Sequence, residues 1–251
     1  MDLGLDSSVF IVSGASRGLG LAAATALVAE GARVVVSGRD GHAVLAASSE
    51  LGTDRAIGVA ADNADPAAAE RLVAAAVARY GRLDGALISV GGPAAGRVDE
   101  VDDAQWRAAF ESVFLGSVRL ARAVASQLPP RGGSIAFVLS TSVRQPLPRL
   151  ALSNGLRPGL AMIAKELADE LGPRNIRVNG LMPGRIGTAR SLALDASRSP
   201  GDIGSARAAI ALGRDGTPEE FGRVAAFVLS PAASYLTGAM IAVDGGATRV
   251  L

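Results

Sequence analysis

The chain alternates short apolar runs with longer stretches in which apolar and polar positions recur at helical spacing. The runs at 9–13, 33–37, 56–60, 85–89, 134–140, 176–181 and 239–243 are continuous rather than alternating, as strands covered on both faces require. Between them, Ala-rich segments near 18–30, 41–51, 66–79, 102–127, 150–171 and 217–230 read as helices. Strand–helix alternation throughout predicts an α/β fold: one doubly wound parallel sheet of about seven strands with helices on both faces. Asp65-Pro66 and Thr217-Pro218-Glu219-Glu220 each put a capping residue before a proline, a helix start.

No linker interrupts this pattern, so residues 1–251 read as a single domain. The one long irregular stretch, about 183–216, is rich in Gly, Ser, Pro and Arg and reads as a substrate lid. Hydrophobic residues at 49% and charged ones at 20% exclude a disordered chain. A net charge of +1 gives no electrostatic footing for nucleic acid or an anionic membrane. With no cysteine, disulfide and thiolate chemistry are out; no metal-ligating pattern is read. No apolar run is long enough to span a bilayer, and the N-terminal stretch lacks the basic start of a signal peptide. A soluble cytoplasmic protein is expected.

SGASRGLG, Ser13 to Gly20, follows the first strand and opens the first helix, with Gly14, Gly18 and Gly20 spaced GxxxGxG. That context suits a dinucleotide: a tight turn, close backbone approach, and helix N–H groups aimed at the pyrophosphate. The tip of the second strand is Ser37-Gly38-Arg39, with no carboxylate for a ribose 2′-hydroxyl. Arg17, in the turn, is expected to converge with Arg39, and two guanidiniums suit a 2′-phosphate. NADP(H) is therefore the expected cofactor; the alternative is that both arginines are solvated surface residues. Asp40 and the lone His42 read as exposed residues at the next helix start.

With these features the chain resembles the short-chain dehydrogenase/reductase family, of the kind that includes 3-oxoacyl-acyl-carrier-protein reductases, over almost its whole length. SGASRGLG resembles that family's TGxxxGxG, and Asp62 falls where its adenine-contacting Asp follows the third strand. RVNGLMPGRIGT (177–188) resembles its stretch after the sixth strand, and LGRDGTPEE (212–220) and YLTGAMIAVDGG (235–246) its C-terminal segments. The resemblance implies a Rossmann fold. It implies a cofactor site of Gly14, Ser16, Arg17, Gly18, Leu19, Gly20, Arg39, Asp62, Asn63, Gly91, Arg157, Pro183, Gly184, Ile186 and Thr188, with Ile186 and Thr188 facing the nicotinamide. It also implies a homo-oligomer, tetramer or dimer, built through the helices after strands four and five and the C-terminal strand.

The catalytic positions depart from the family's pattern of Asn, Ser, Tyr and Lys, the last two as YxxxK. Carried over one at a time, they fall on Val113, Ser140, Ser153 and Arg157: Ser153 stands thirteen after Ser140 and Arg157 four later. Lys165, the only lysine, follows Arg157 by eight, where the family often has a basic residue. The family's NNAG reads ISVG, Ile88 to Gly91. Of the four positions only Ser140 is kept, and it has a plainer reading as a partner for strand-end backbone. In SNGLR (153–157) both polar residues project from one helix face. They read as an acid–base site with its donor removed, or as helix-surface residues of a repurposed pocket. Trp106 reads as core.

A serine alcohol is a far weaker acid than a phenol, whose pKa is about 10. Arg157 can hold ribose hydroxyls but not donate a proton, and Val113 removes an anchor for relayed water. Tyr80, beside a surface turn, and Tyr235, in the C-terminal segment, are poorly placed. Other routes are the lid acids Asp195 and Asp202, water ordered by Ser140 and Ser153, or an iminium substrate that needs no strong acid. An NADP(H)-dependent oxidoreductase acting on a small carbonyl or imine leads; a catalytically silent NADP(H)-binding subunit or sensor is the alternative. Non-redox chemistry ranks lower, because the family's halide-eliminating members share the Arg but keep Tyr and lose the nucleotide glycines. Lid arginines Arg185, Arg190, Arg198 and Arg207 would suit an anionic or phosphopantetheine-linked substrate, or be solvated.

Overall fold

The computed structural model describes residues 2–196 and 199–250. The strands are β1 (Val9–Val12), β2 (Arg33–Gly38), β3 (Ala56–Ala60), β4 (Gly85–Ile88), β5 (Gly133–Val138), β6 (Ile176–Pro183) and β7 (Met240–Val243). They form one sheet in the order β3-β2-β1-β4-β5-β6-β7, every pairing parallel. Parallel neighbours require crossovers, supplied mainly by α1 (Gly18–Ala29), α2 (Gly41–Glu50), α3 (Ala68–Tyr80), α5 (Gly116–Gln127), α6 (Ala151–Leu171) and α9 (Pro218–Leu229). The strand order reverses between β1 and β4, so a crevice opens there at the carboxyl ends of the strands, where ligands bind in such sheets.

Alternate strand residues feed two cores. Ile11, Val35, Ile135 and Phe137 pack with Leu72, Leu120 and Leu160 from α3, α5 and α6. Phe10, Val12, Val34 and Val36 pack with Leu27 and Phe221 from α1 and α9. Each such side chain, buried fully, contributes roughly 1.5–3 kcal/mol. Small residues set the α1–α9 spacing: a Cβ on Gly222 would run into the backbone of Ala22. Arg177 on β6 is a structural cation. It donates to the carbonyls of Val228, Leu229, Ser230 and Leu236 and ties α9 and the segment before β7 to the sheet. Among the described residues no helix is long and apolar enough to cross a membrane.

Three elements differ from the sequence expectation. Residues 102–127 are not one helix: α4 (Asp103–Ala109) passes through a π-helical turn, Phe110–Leu115, into α5. The third helix starts at Ala68 rather than 66, although Asp65 Oδ1 still accepts the Ala67 N–H at 3.0 Å. The segment at about 183–216, expected to be an irregular lid, contains α7 (Ala189–Asp195) and α8 (Pro200–Ala208). Each begins with a reciprocal cap, Thr188 with Ser191 and Ser199 with Asp202, which satisfies N–H groups that a helix start would otherwise leave orphaned.

Candidate active site

The turn after β1 is shaped by what lies against it. Gly14 and Gly18 both have φ of +60°, a region costly for residues with a Cβ. A Cβ on Gly14 would also sit 2.6 Å from the Ser89 carbonyl oxygen. Ser13 Oγ donates to that oxygen at 2.8 Å and accepts the Ser89 N–H at 3.0 Å, bolting the turn to the end of β4. Gly20 is buried against the Gly14 backbone, and Ser16 lies beside Gly38 at the end of β2. No side chain caps α1. Its first N–H groups, around Gly18, Leu19 and Gly20, stay available to an anion.

Arg39, at the β2 tip, and Arg17, in the turn before α1, are both exposed, and among the described residues neither guanidinium has an ion-pair or hydrogen-bond partner. Asp40, the nearest acid, is occupied elsewhere: its Oδ1 accepts from the N–H groups of His42 and Ala43 and caps α2. Asp62 Oδ1 takes the Ala64 N–H at 3.0 Å in the loop after β3, and the Asn63 carbonyl packs on Gly116.

The lid begins beside this turn. Thr188, the cap of α7, lies against Gly18, with its Cγ2 3.7 Å from where a Cβ on that glycine would be. Ile186 is buried and bridges to Gly216, Pro183 ends β6, and Gly184 packs on Asp244. The sequence-expected nucleotide residues other than Arg157 thus lie at or just past the carboxyl ends of the strands. Ile88 is a buried strand residue of the core, so the loop that can meet a ligand starts at Ser89 and includes Gly91.

The catalytic positions meet at the end of β5, in a changed arrangement. Ser140 Oγ accepts the Ser142 N–H at 3.1 Å, so its plainer role as a backbone partner is real, while its own proton stays free to donate. The hydroxyl facing Ser153 belongs to Ser142: Oγ to Oγ is 3.2 Å, and both residues are buried. Sequence reasoning missed Ser142. The chain leaves the strand before Ser140 and enters a 3-10 turn, Thr141–Val143, which brings 142 to Ser153; a fixed spacing of thirteen selects only Ser140. Ser142 also lines an open cleft of about 240 Å³ with Asn154 and Pro158. Asn154 pins the cleft's far wall, donating to the Leu147 carbonyl at 2.8 Å and accepting its N–H at 3.0 Å.

Arg157 is 6% exposed and donates through Nη1 to the Val138 carbonyl at 2.6 Å. Burial first, then the charge of Arg190, pulls its guanidinium down to about 10. Val113 sits in a small apolar cluster with Ala109, Leu152 and Leu156, with Trp106 packed against it; no polar atom at that side chain can hold water.

Both acids are held by partners. Arg185 grips both Asp195 oxygens, at 3.1 and 2.7 Å, and also Asp215 at 3.0 Å, which raises the Arg185 guanidinium. Asp202 accepts from Ser199 Oγ at 2.7 Å and caps α8. Arg207 pairs with Asp215, and Arg198 lies outside the described residues. Arg190 reaches the loop after β4, donating to the carbonyls of Gly92 and Pro93, each at 2.8 Å. Tyr80 is wedged between Arg33 and Arg79 before the start of β4, away from the crevice, and Tyr235 is fully exposed.

Comparison with known proteins agrees with this architecture. A family model described as enoyl-(acyl carrier protein) reductase matches residues 14–248. An uncharacterized oxidoreductase of Methylorubrum extorquens is 37% identical over 96% of this chain and 98% of its own length. Trans-4-hydroxycyclohexanecarboxylate dehydrogenase of Sinomonas cyclohexanicum is 32% identical over 96% and 92%. The structure of L-sorbose reductase from Gluconobacter frateurii, complexed with NADPH and L-sorbose, superposes with a TM-score of 0.92 at 30% identity, covering 100% of both chains.

Proposed function

Since the chain belongs to the short-chain dehydrogenase/reductase family, we propose that it is an NADP(H)-dependent oxidoreductase of the cytoplasm that reduces a small carbonyl or imine without the family's tyrosine. The observation that carries the cofactor choice is the unpartnered Arg39 at the β2 tip, with the adjacent Asp40 spent on a helix cap and the unpartnered Arg17 in the turn before α1. The NADPH-bound relative supports the same choice.

The residues fit the nucleotide. The uncapped start of α1 and the Gly14 cradle receive the pyrophosphate, Arg17 and Arg39 the 2′-phosphate, Asp62 and Asn63 the adenine end. Gly91, Pro183, Gly184, Ile186 and Thr188 wall the nicotinamide side, and Arg157 offers N–H groups to the ribose hydroxyls. When bound, NADPH supplies hydride to the substrate carbon, and one proton from solvent completes the alcohol at oxygen. Ser140, Ser142 and Ser153 orient the oxygen and a proton-carrying water. An alcohol side chain is too weak an acid to replace a phenol, and loss of general acid catalysis costs about 10²–10⁴-fold. A substrate that arrives protonated, such as an iminium, escapes that cost.

The missing acid favours a second reading, a silent NADP(H)-binding subunit. One experiment separates the two. Fluorescence titration with NADPH and NADH, then a screen of ketones and cyclic imines, should show preferential NADPH binding and its oxidation with one class. NADPH binding with no turnover across the screen would favour the silent subunit; no nucleotide binding would defeat both. We further propose a homo-oligomer, tetramer or dimer, supported by the exposed Phe110 and Met162 near α5 and on α6.

A further inference from the structure

We propose that Arg157 and Arg190 together receive a carboxylate of the substrate, so that the enzyme acts on an oxo acid or its imine. This rests on the oxidoreductase reading for the reaction, but not for the binding. The two cations come from different elements. Arg157 comes up from α6 to the end of β5, and Arg190 comes down from α7 onto the loop after β4. Those strands are adjacent, with Ile88 opposite Phe137, and Ser142 and Ser153 lie at the same end.

The charge at this point is unanswered. Both guanidiniums bond only to neutral backbone carbonyls, and among the described residues no carboxylate pairs with either. They repel each other as well. The other buried or lid arginines among the described residues differ. Arg177 shares its donors among four carbonyls, and Arg185 and Arg207 have aspartates. Arg157 has five N–H donors and uses one group on a single carbonyl; the ribose hydroxyls proposed for it are neutral and leave its charge unanswered. Arg157 is the desolvated one, and a buried charge becomes favourable only with an anion beside it; Arg190, which is exposed, supplies the second cation. The cofactor's phosphates have their own receptors at α1 and the β2 tip, so the substrate is the source of that anion. A carboxylate has two oxygens and about four acceptor sites, enough to bridge both guanidiniums while its neighbouring carbonyl faces the serines.

The test is calorimetric titration of the full chain with benzoate and with its neutral analogue benzamide, each with and without NADP⁺. Benzoate should bind at least about tenfold more tightly, the worth of one charge-assisted hydrogen-bonded contact. R190Q should erase that preference and R190K retain part of it; R157M should weaken benzoate likewise if it folds. Arg190 is exposed, so R190Q decides the matter whatever happens to R157M. Equal binding of benzoate and benzamide would overturn the proposal. So would an R190Q protein that loses NADPH along with benzoate, since Arg190 would then serve the cofactor. A benzoate preference in a protein that binds no NADPH would uphold the anion site and defeat the oxidoreductase reading alone.

Discussion

Ser142 and Ser153 share a buried hydrogen bond, Oγ to Oγ at 3.2 Å, across the junction of the β5 end and the start of α6. Neither hydroxyl has another bonded partner among the described residues. S142A and S153A should therefore each destabilise the fold by about 1 kcal/mol, the cost of stranding a buried hydroxyl. S142A/S153A should cost clearly less than the sum. Urea denaturation of the four proteins measures the coupling; strict additivity would show that the two serines do not communicate.

Arg39→Asp tests the cofactor choice. It removes a cation from the 2′-phosphate and places a carboxylate where a ribose hydroxyl would sit. NADPH affinity should fall roughly ten- to a hundredfold and NADH affinity should rise. An unchanged NADPH titration would mean that Arg39 is a solvated surface residue.

Arg157 is held at a cost. An isolated buried ion loses several kcal/mol of solvation, whereas stranding the Val138 carbonyl costs about 1–3 kcal/mol. The first term is larger, so Arg157→Met should raise the thermal midpoint of the ligand-free protein. A lower midpoint would mean that the guanidinium is better solvated than its 6% exposure suggests.

The lid base should loosen in acid. Burial would raise the Asp215 carboxyl, but hydrogen bonds and charge from Arg185 and Arg207 outweigh it and hold the group below its usual value. A depressed folded pKa stabilises above the unfolded value of about 3.9 and is lost as pH falls through the folded one. Amide exchange in α7 should therefore be flat from pH 7 to about 5, once corrected for intrinsic rates, and rise below about 4. In Asp215→Asn that rise should be smaller. An identical profile in the variant would detach Asp215 from the lid.

Most of this molecule was legible in the chain because its strands are short apolar runs bounded by glycine and its turn before α1 has one chemistry. What was not legible has physical reasons. FESVFL holds no helix breaker, so a helical period cannot reveal the extra residue of the π turn at Phe110–Leu115. The caps at Thr188 and Ser199 are ordinary helix-start signals, but the surrounding Gly and Pro masked the short helices they begin. Ser142 was hidden because spacing along a chain fixes register only when the intervening loop has a fixed length. Which acids were held could not be read at all: Asp195 and Asp202 are held by Arg185 and Ser199, partners that only folding identifies.

Arg190 lies so close over Gly92 that a Cβ there would occupy the space of its guanidinium. The two positions, one on the lid and one on the loop after β4, therefore share a single volume. Over evolutionary time they should drift as a pair: in lineages that acquire any side chain at position 92, arginine at 190 should give way to something shorter. The positive charge over the pocket would vanish in the same step.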